Sequence, residues 1–227
     1  MNKTVIPFAG YPILLLESGF NLNNNELNSL VNLEYADHVS IKNLKISTDV
    51  DILRLDEFKR LKHFIKESLD FYVSDILQIN NTFSFCQSWS AIQNKDAYHP
   101  CHAHYNHIIS SVYYAKAEET KLIFHVEKSK IQDGYYFDYD VKEYNWYNSS
   151  SYTVSLKTGD IIFFPGQLKH ESSINNSNER IIVGSSFFID GKIGSSLMTK
   201  KAGGSGEWSP VDTSAGISVP GTREHTM

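Results

Sequence analysis

From Asn81 onward the chain alternates with a period of two; before that point it does not. Phe83, Phe85, Gln87, Trp89 and Ala91 alternate with Ser84, Cys86, Ser88 and Ser90, the pattern of a strand with one buried face. Further alternating or short apolar runs predict strands over 101–106, 109–115, 122–126, 135–139, 152–156, 161–165 and 181–188. Turn chemistry separates several of them, as at Asp133-Gly134 and Thr158-Gly159-Asp160. So many short strands predict a sandwich or barrel of the jelly-roll class.

Upstream, the period is that of a helix. Phe58, Leu61, Ile65, Leu69, Tyr72 and Ile76 recur at steps of three or four, so one apolar stripe runs along a helix predicted over 56–77. Asp56 and Glu57 stand where the helix dipole favours negative charge. A shorter helix is predicted over 23–33, with Leu27, Leu30 and Val31 behind an asparagine cap. The last stretch loses every period, because Gly203, Gly204, Gly206, Pro210, Gly216, Pro220 and Gly221 interrupt it. Three regions follow: a helical or mixed region over 1–80 that packs on the barrel, a β core over 81–194, and an extended or disordered tail over 195–227. The fold class is mostly β with N-terminal helices.

Composition narrows the partners. The 227 residues suit one domain with a sizeable core. A formal net charge of −5 without a Lys/Arg cluster argues against nucleic acid as a partner. No apolar run approaches the roughly 20 residues of a membrane span, and the N-terminus reads as no signal peptide. The two cysteines, Cys86 and Cys101, are too few for a disulfide framework and fit a reducing compartment. The expectation is a cytoplasmic protein that binds a small molecule or peptide, with self-association left open.

Histidines carry the chemistry. Four of nine fall between His99 and His107. On a strand, His102 and His104 project from one face and form a chelating pair for Fe(II), Zn(II) or Mn(II). An isolated His-x-His is more often a polar surface patch, so it needs a second signal. The segment from Thr158 to His170 supplies one: a tight turn at Gly159-Asp160, a buried strand, a stop at Pro165-Gly166, then a histidine near the barrel mouth. Ten residues on, Arg180 opens the last strand, where a guanidinium suits a carboxylate; on its own it would read as a surface arginine paired with Glu179 or Glu171. His99 and His107 lie an odd number of residues from the pair and are expected to face away. Trp89 and Tyr105 are read as core or rim.

Taken together, these residues resemble the 2-oxoglutarate/Fe(II)-dependent oxygenase superfamily, and more closely its small bacterial and phage members with a His-x-His motif. The resemblance is carried by Ser88-Trp89-Ser90, His102-Ala103-His104, Ser110 to Tyr114, Phe164-Pro165, His170 and Arg180, and spans about 81–189. It implies a double-stranded β-helix (jelly roll, cupin-like) with Fe(II) and 2-oxoglutarate as cofactors. His102 and His170 look like iron ligands and Arg180 looks like the 2-oxoglutarate anchor. His104 stands where the wider superfamily has Asp or Glu, so the metal set would be three imidazoles. Ile182 stands where many relatives place a serine that shares the carboxylate, so a hydroxyl of Tyr113, Tyr114 or Ser185 would substitute. The implied reaction is hydroxylation of a substrate C–H bond with release of succinate and CO2. Two alternatives stay open. One is another cupin-type metalloenzyme, a three-His dioxygenase or isomerase, although the glutamate usual after its His-x-His is absent. The other is a non-enzymatic jelly-roll module with a closed metal site.

Overall fold

The protein is described by a computed structural model covering residues 10–126, 140–145 and 148–190, with strand residues 192–193, 198–201 and 209–210. In chain order the elements begin with β1 (Leu14–Leu16), α1 (Asn24–Val31), β2 (Tyr35–Asp37), β3 (Leu44–Ser47) and α2 (Lys59–Phe71). The core follows as β4 (Phe83–Asn94), β5 (Ile109–Lys116), β6 (Thr120–His125), β7 (Ser151–Leu156), β8 (Ile161–Pro165), β9 (Lys169–Ser172) and β10 (Glu179–Ile189). The strand predicted over 135–139 lies outside the described residues.

Two antiparallel sheets form the jelly roll. The larger runs β1-β8-β5-β10-β4-β3-β2 and the smaller β7-β6-β9. Between them lies a core of Tyr114, Leu122, Phe124, Val154, Leu156, Ile162, Phe164 and Leu168. The run Ile161 to Phe164 reads as continuously apolar because β8 is buried on both sides. Ile162 and Phe164 face the small sheet, while Phe163 stacks on Tyr72 at the end of the helical layer, ring centroids 5.7 Å apart. Gly159 adopts φ +90° in the turn before β8, a conformation that glycine takes without steric penalty.

The N-terminal third is more than a cover. It supplies three strands of the large sheet, with Leu15 opposite Ile162 and Leu44 opposite Gln93. Helix α1 is closed by a capping box in which Asn23 accepts from the Glu26 amide at 3.0 Å and Glu26 accepts from the Asn23 amide at 2.7 Å. The helix expected over 56–77 is broken into a 3-10 turn (Asp56–Phe58), α2 and a π turn (Tyr72–Ile76). The stripe holds through Phe58, Leu61, Ile65, Leu69 and Tyr72, all fully buried, but Ile76 is exposed. The wider π turn rotates the chain out of the 3.6-residue phase that Ile76 needed.

Residues Ile189–Met227 form a second compact unit. Its strands β11 (Lys192–Ile193), β12 (Met198–Lys201) and β13 (Ser209–Pro210) pair antiparallel in sequence order. The rest of the segment expected as a tail lies outside the described residues. Among the described residues, no helix is long and apolar enough to cross a membrane.

Candidate metal centre

His102 and His104 lie not on a strand, as expected, but on an extended segment pinned to β9 and to the turn before it. His102 exchanges both backbone hydrogen bonds with His170, at 3.0 and 2.9 Å, and the His104 amide donates to the Gly166 carbonyl at 2.8 Å. Pro100 has no amide to offer, which interrupts the ladder. Opposite the three-residue step from His99 to His102 lies the two-residue step from Ser172 to His170, so the segment carries a bulge. That extra residue reverses the parity of everything before it. His99, expected to face away, therefore lies on the same side as His102, with ring centroids 5.8 Å apart.

The coordinating atoms of His102, His104 and His170 all lie within 4.8 Å of one another. His170 is inside β9 rather than past a strand end, 4% exposed, its ring edge-on to Phe164 at 4.7 Å. His102 Nδ1 hydrogen-bonds to the Pro100 carbonyl at 2.7 Å and His170 Nδ1 to the Leu168 carbonyl at 2.8 Å. A carbonyl accepts only, so each Nδ1 carries the proton and each Nε2 presents a lone pair, the tautomer a metal requires. Burial lowers the pKa of His170 to about 3 and of His104 to about 4. Both rings are therefore neutral at pH 7, the form a metal would need. Among the described residues, no carboxylate lines the cavity around them.

That cavity encloses about 560 Å³, part of it open to solvent. Arg180, 1% exposed, also lines it. The guanidinium donates to Gln93 Oε1 at 2.5 Å, to Thr120 Oγ1, to Ser172 Oγ at 3.1 Å and to the Ser173 carbonyl at 2.8 Å. Arginine has five N–H groups; four are engaged, which leaves one on Nη1. Every partner is neutral, so the buried charge has no counter-ion among the described residues. Burial lowers the Arg180 pKa from the usual arginine range, yet a guanidinium remains protonated at pH 7. A buried cation without a counter-ion is costly, and an anion in the cavity would offset that cost.

Of the remaining expected site residues, Tyr114 lines the cavity and Ser185 does not. On β10 the cavity side is carried by Arg180, Ile182 and Gly184, so Ser185 falls on the opposite face by the two-residue period. The hydroxyls beside Arg180 belong instead to Thr120 and Ser172. Tyr113 also turns outward, its hydroxyl donating to the Phe20 carbonyl at 2.9 Å. His107 hydrogen-bonds through Nε2 to Ser110 Oγ at 2.7 Å and stays outside the cavity. Trp89, read from the sequence as core or rim, forms cavity wall with its ring 6.2 Å from His104.

Two predictions arise here. A Cβ on Gly184 would come within 2.5 Å of the Trp89 ring, so Gly184→Ala should lower the unfolding free energy by about 1–3 kcal/mol, as overpacking does. Urea titration measures it, and an unchanged midpoint would mean that the ring has room to swing aside. The second concerns pH. Burial also lowers the His99 pKa to about 4, so His99, His104 and His170 refuse a proton in the folded metal-free protein until about pH 4 or below. Unfolded histidines accept one near 6.5. The unfolded state then binds more protons between these values, and stability falls as pH falls. The urea midpoint of metal-free protein should drop steadily from pH 6.5 to 4.5, before most carboxylates titrate.

Residues 87–186 match the model of the family described as "Putative 2OG-Fe(II) oxygenase". The stretch contains His102, His104, His170 and Arg180. No curated protein matches the chain. Among solved structures, an oxidoreductase of the 2OG-Fe(II) oxygenase family from Burkholderia pseudomallei aligns with a TM-score of 0.54 at 11% identity, over 78% of this chain and 84% of the other. HygX from Streptomyces hygroscopicus, solved with nickel, 2-oxoglutarate and hygromycin B, aligns with a TM-score of 0.54 at 12% identity, over 78% and 82%. A prolyl-4-hydroxylase from Pseudomonas putida aligns with a TM-score of 0.51 at 14% identity, over 78% and 92%. At these identities the likeness is one of fold.

Proposed function

We propose that this chain is a non-haem Fe(II), 2-oxoglutarate-dependent oxygenase that hydroxylates a C–H bond of a small-molecule or peptide substrate, releasing succinate and CO2. The observation that carries this reading is one cavity holding three clustered imidazoles and a buried guanidinium with no carboxylate partner. The donor set fits the group. Neutral imidazoles suit Fe(II), and an unpaired guanidinium suits the remote carboxylate of a dicarboxylic acid. Bound together, iron and 2-oxoglutarate would supply the oxidising chemistry through dioxygen. Two cysteines in all, Cys86 and Cys101, both exposed, fit the reducing conditions of a cytoplasm.

In this reading His102, His104 and His170 would hold the metal from one side, leaving the rest of its coordination for cosubstrate and dioxygen. The backbone carbonyls of Pro100 and Leu168 fix two of these rings in the required tautomer. Arg180, in the same cavity, would bind and orient the cosubstrate. Leu122, Phe164 and Ile182 exclude water between the two ends, which strengthens each polar contact made there. Trp89 borders the metal side, where a substrate would approach. The absence of a carboxylate ligand leaves the site one negative charge short of a His₂/carboxylate set, which favours a dianionic cosubstrate.

Anaerobic titration of Fe(II) into metal-free protein, with and without 2-oxoglutarate, tests the proposal. A visible charge-transfer band that needs both components is expected. Iron binding without a band on adding 2-oxoglutarate would point instead to a three-His enzyme of cupin type.

A further inference from the structure

Gln93 sits between the guanidinium and His99, and its two amide atoms have different obligations. Arg180 Nε can only donate, so the Gln93 atom 2.5 Å away is the carbonyl oxygen Oε1. The amide nitrogen Nε2 then points to His99 Nδ1 at 2.8 Å and also reaches Ser172 Oγ at 3.4 Å. An amide nitrogen donates, so His99 Nδ1 must accept, and the proton of the neutral ring lies on Nε2. The ring is held in place from behind as well, because the His99 amide donates to Ser172 Oγ at 2.8 Å and the His99 carbonyl accepts from the Ser172 amide at 3.0 Å. His99 Nε2–H has no hydrogen-bond partner among the described residues, and the ring lines the same cavity, its centroid 5.8 Å from that of His102.

This tautomer is opposite to that of the metal-binding pair. His102 and His170 leave Nε2 with a lone pair, whereas His99, its Nδ1 taken by Gln93, leaves Nε2 as a donor on a ring that lines the same cavity. Arg180 has one N–H left, so a carboxylate reaching it would find one direct donor from the guanidinium and would need others. We propose that His99 Nε2–H is a second hydrogen-bond donor to the oxyanion ligand of this cavity, with its direction set by Arg180 through Gln93. The inference rests on the proposed function and adds a binding residue to it. Gln93 is the positioning residue: its orientation, dictated by Arg180, dictates which nitrogen of His99 is protonated.

The two ring nitrogens are separated by a pair of substitutions. His99→Asn keeps an acceptor near Nδ1 for Gln93 and removes the Nε2 donor. His99→Gln keeps a donor near Nε2. Both variants, loaded anaerobically with Fe(II), are titrated calorimetrically with 2-oxoglutarate, and metal content is measured beforehand. His99→Asn should bind the metal as wild type does and 2-oxoglutarate about tenfold or more weakly, the scale of one hydrogen bond to a charged group. His99→Gln should recover most of that loss. Equal affinity in wild type and His99→Asn overturns the inference, as does a His99→Gln variant no better than His99→Asn. A measurement on the unsubstituted protein stands beside these: long-range proton–nitrogen NMR of the Zn(II)-loaded, ¹⁵N-histidine-labelled protein. A protonated Nε2 on His99 that shifts when 2-oxoglutarate is added supports the assignment, and an Nδ1-protonated ring or no shift overturns it. Failure of wild type to bind 2-oxoglutarate at all would remove the proposed function itself, and the titrations read that outcome separately.

Discussion

His170→Ala should lose most of its Fe(II), and His102→Ala should lose it too. Each ring presents Nε2 to the cluster because its Nδ1 is tied to a backbone carbonyl, so removing a ring removes a prepared ligand rather than a mobile one. Loss of a group that merely supports a ligand weakens metal binding by about 10–100-fold; loss of a ligand should exceed the upper end of that range. The two variants should differ in stability. His170 is buried against Phe164 and Phe124, so truncation opens a void in the core, whereas His102 is half-buried and its removal should leave the melting temperature closer to wild type. The backbone pairing of residues 102 and 170 survives both changes, because it uses no side-chain atom. Metal analysis of the folded, purified variants decides the matter. Full iron occupancy in His170→Ala would sink the assignment of the centre.

Much of the fold is legible in the sequence because β structure with one buried face leaves a period-two trace. Strands β5, β7, β8 and β10 match their predicted runs to within about two residues. The misses share a cause. β1, β2 and β3 are three or four residues long, too short to establish a period, and only pairing makes them strands: β1 with β8, β3 with β4, and β2 with β3. The second half of β4 shows the opposite failure. Ser88 and Ser90 read as solvent-facing but are buried under the N-terminal elements, where Ser88 Oγ accepts from the Leu53 amide at 3.0 Å and Ser90 Oγ donates to the Ile182 carbonyl at 3.1 Å. A serine with partners in distant segments looks the same in sequence as one in water.

The site divides in the same way. His102, His104, His170 and Arg180 announce themselves by residue type and spacing. Gln93, Thr120 and Ser172 do not, since each is an ordinary polar residue whose role comes from the guanidinium that the fold brings to it. His99 is the instructive error. Parity puts it on the wrong face only if extended pairing continues unbroken from the run predicted over 101–106 back to His99, and Pro100, visible in the sequence, stands between them. A proline at the edge of a predicted strand marks a position where a bulge is tolerated, and a bulge reverses parity. Ser185 failed for a simpler reason: with Arg180 facing the cavity, an odd separation on β10 already excluded it.

Arg180→Ala should keep its Fe(II) and lose 2-oxoglutarate affinity by about 2–4 kcal/mol, the usual loss when one partner of a buried charge pair is removed. Nothing in the metal cluster depends on Arg180, whose partners are Gln93, Thr120, Ser172 and Ser173; metal content therefore serves as the internal control. Truncation also frees Gln93, so the amide can turn and His99 can lose its enforced tautomer. The measured loss should then exceed what one N–H and a charge would give in isolation, and it should fall short of the sum of the Arg180→Ala and His99→Asn losses when the two are combined. Arg180→Lys should recover only part of the affinity. An ammonium restores the charge, but as a compact point charge it cannot reproduce the planar fork that holds four acceptors, Gln93 among them, in place. Calorimetric titration of 2-oxoglutarate into the Fe(II)-loaded proteins measures all four variants, the double substitution included, on one scale. The result also separates the oxygenase from its rivals, because neither a three-His enzyme of cupin type nor a structural metal site requires a buried, uncompensated guanidinium across the cavity. Equal affinity in wild type and Arg180→Ala would leave that charge without a ligand and would move the assignment to one of them.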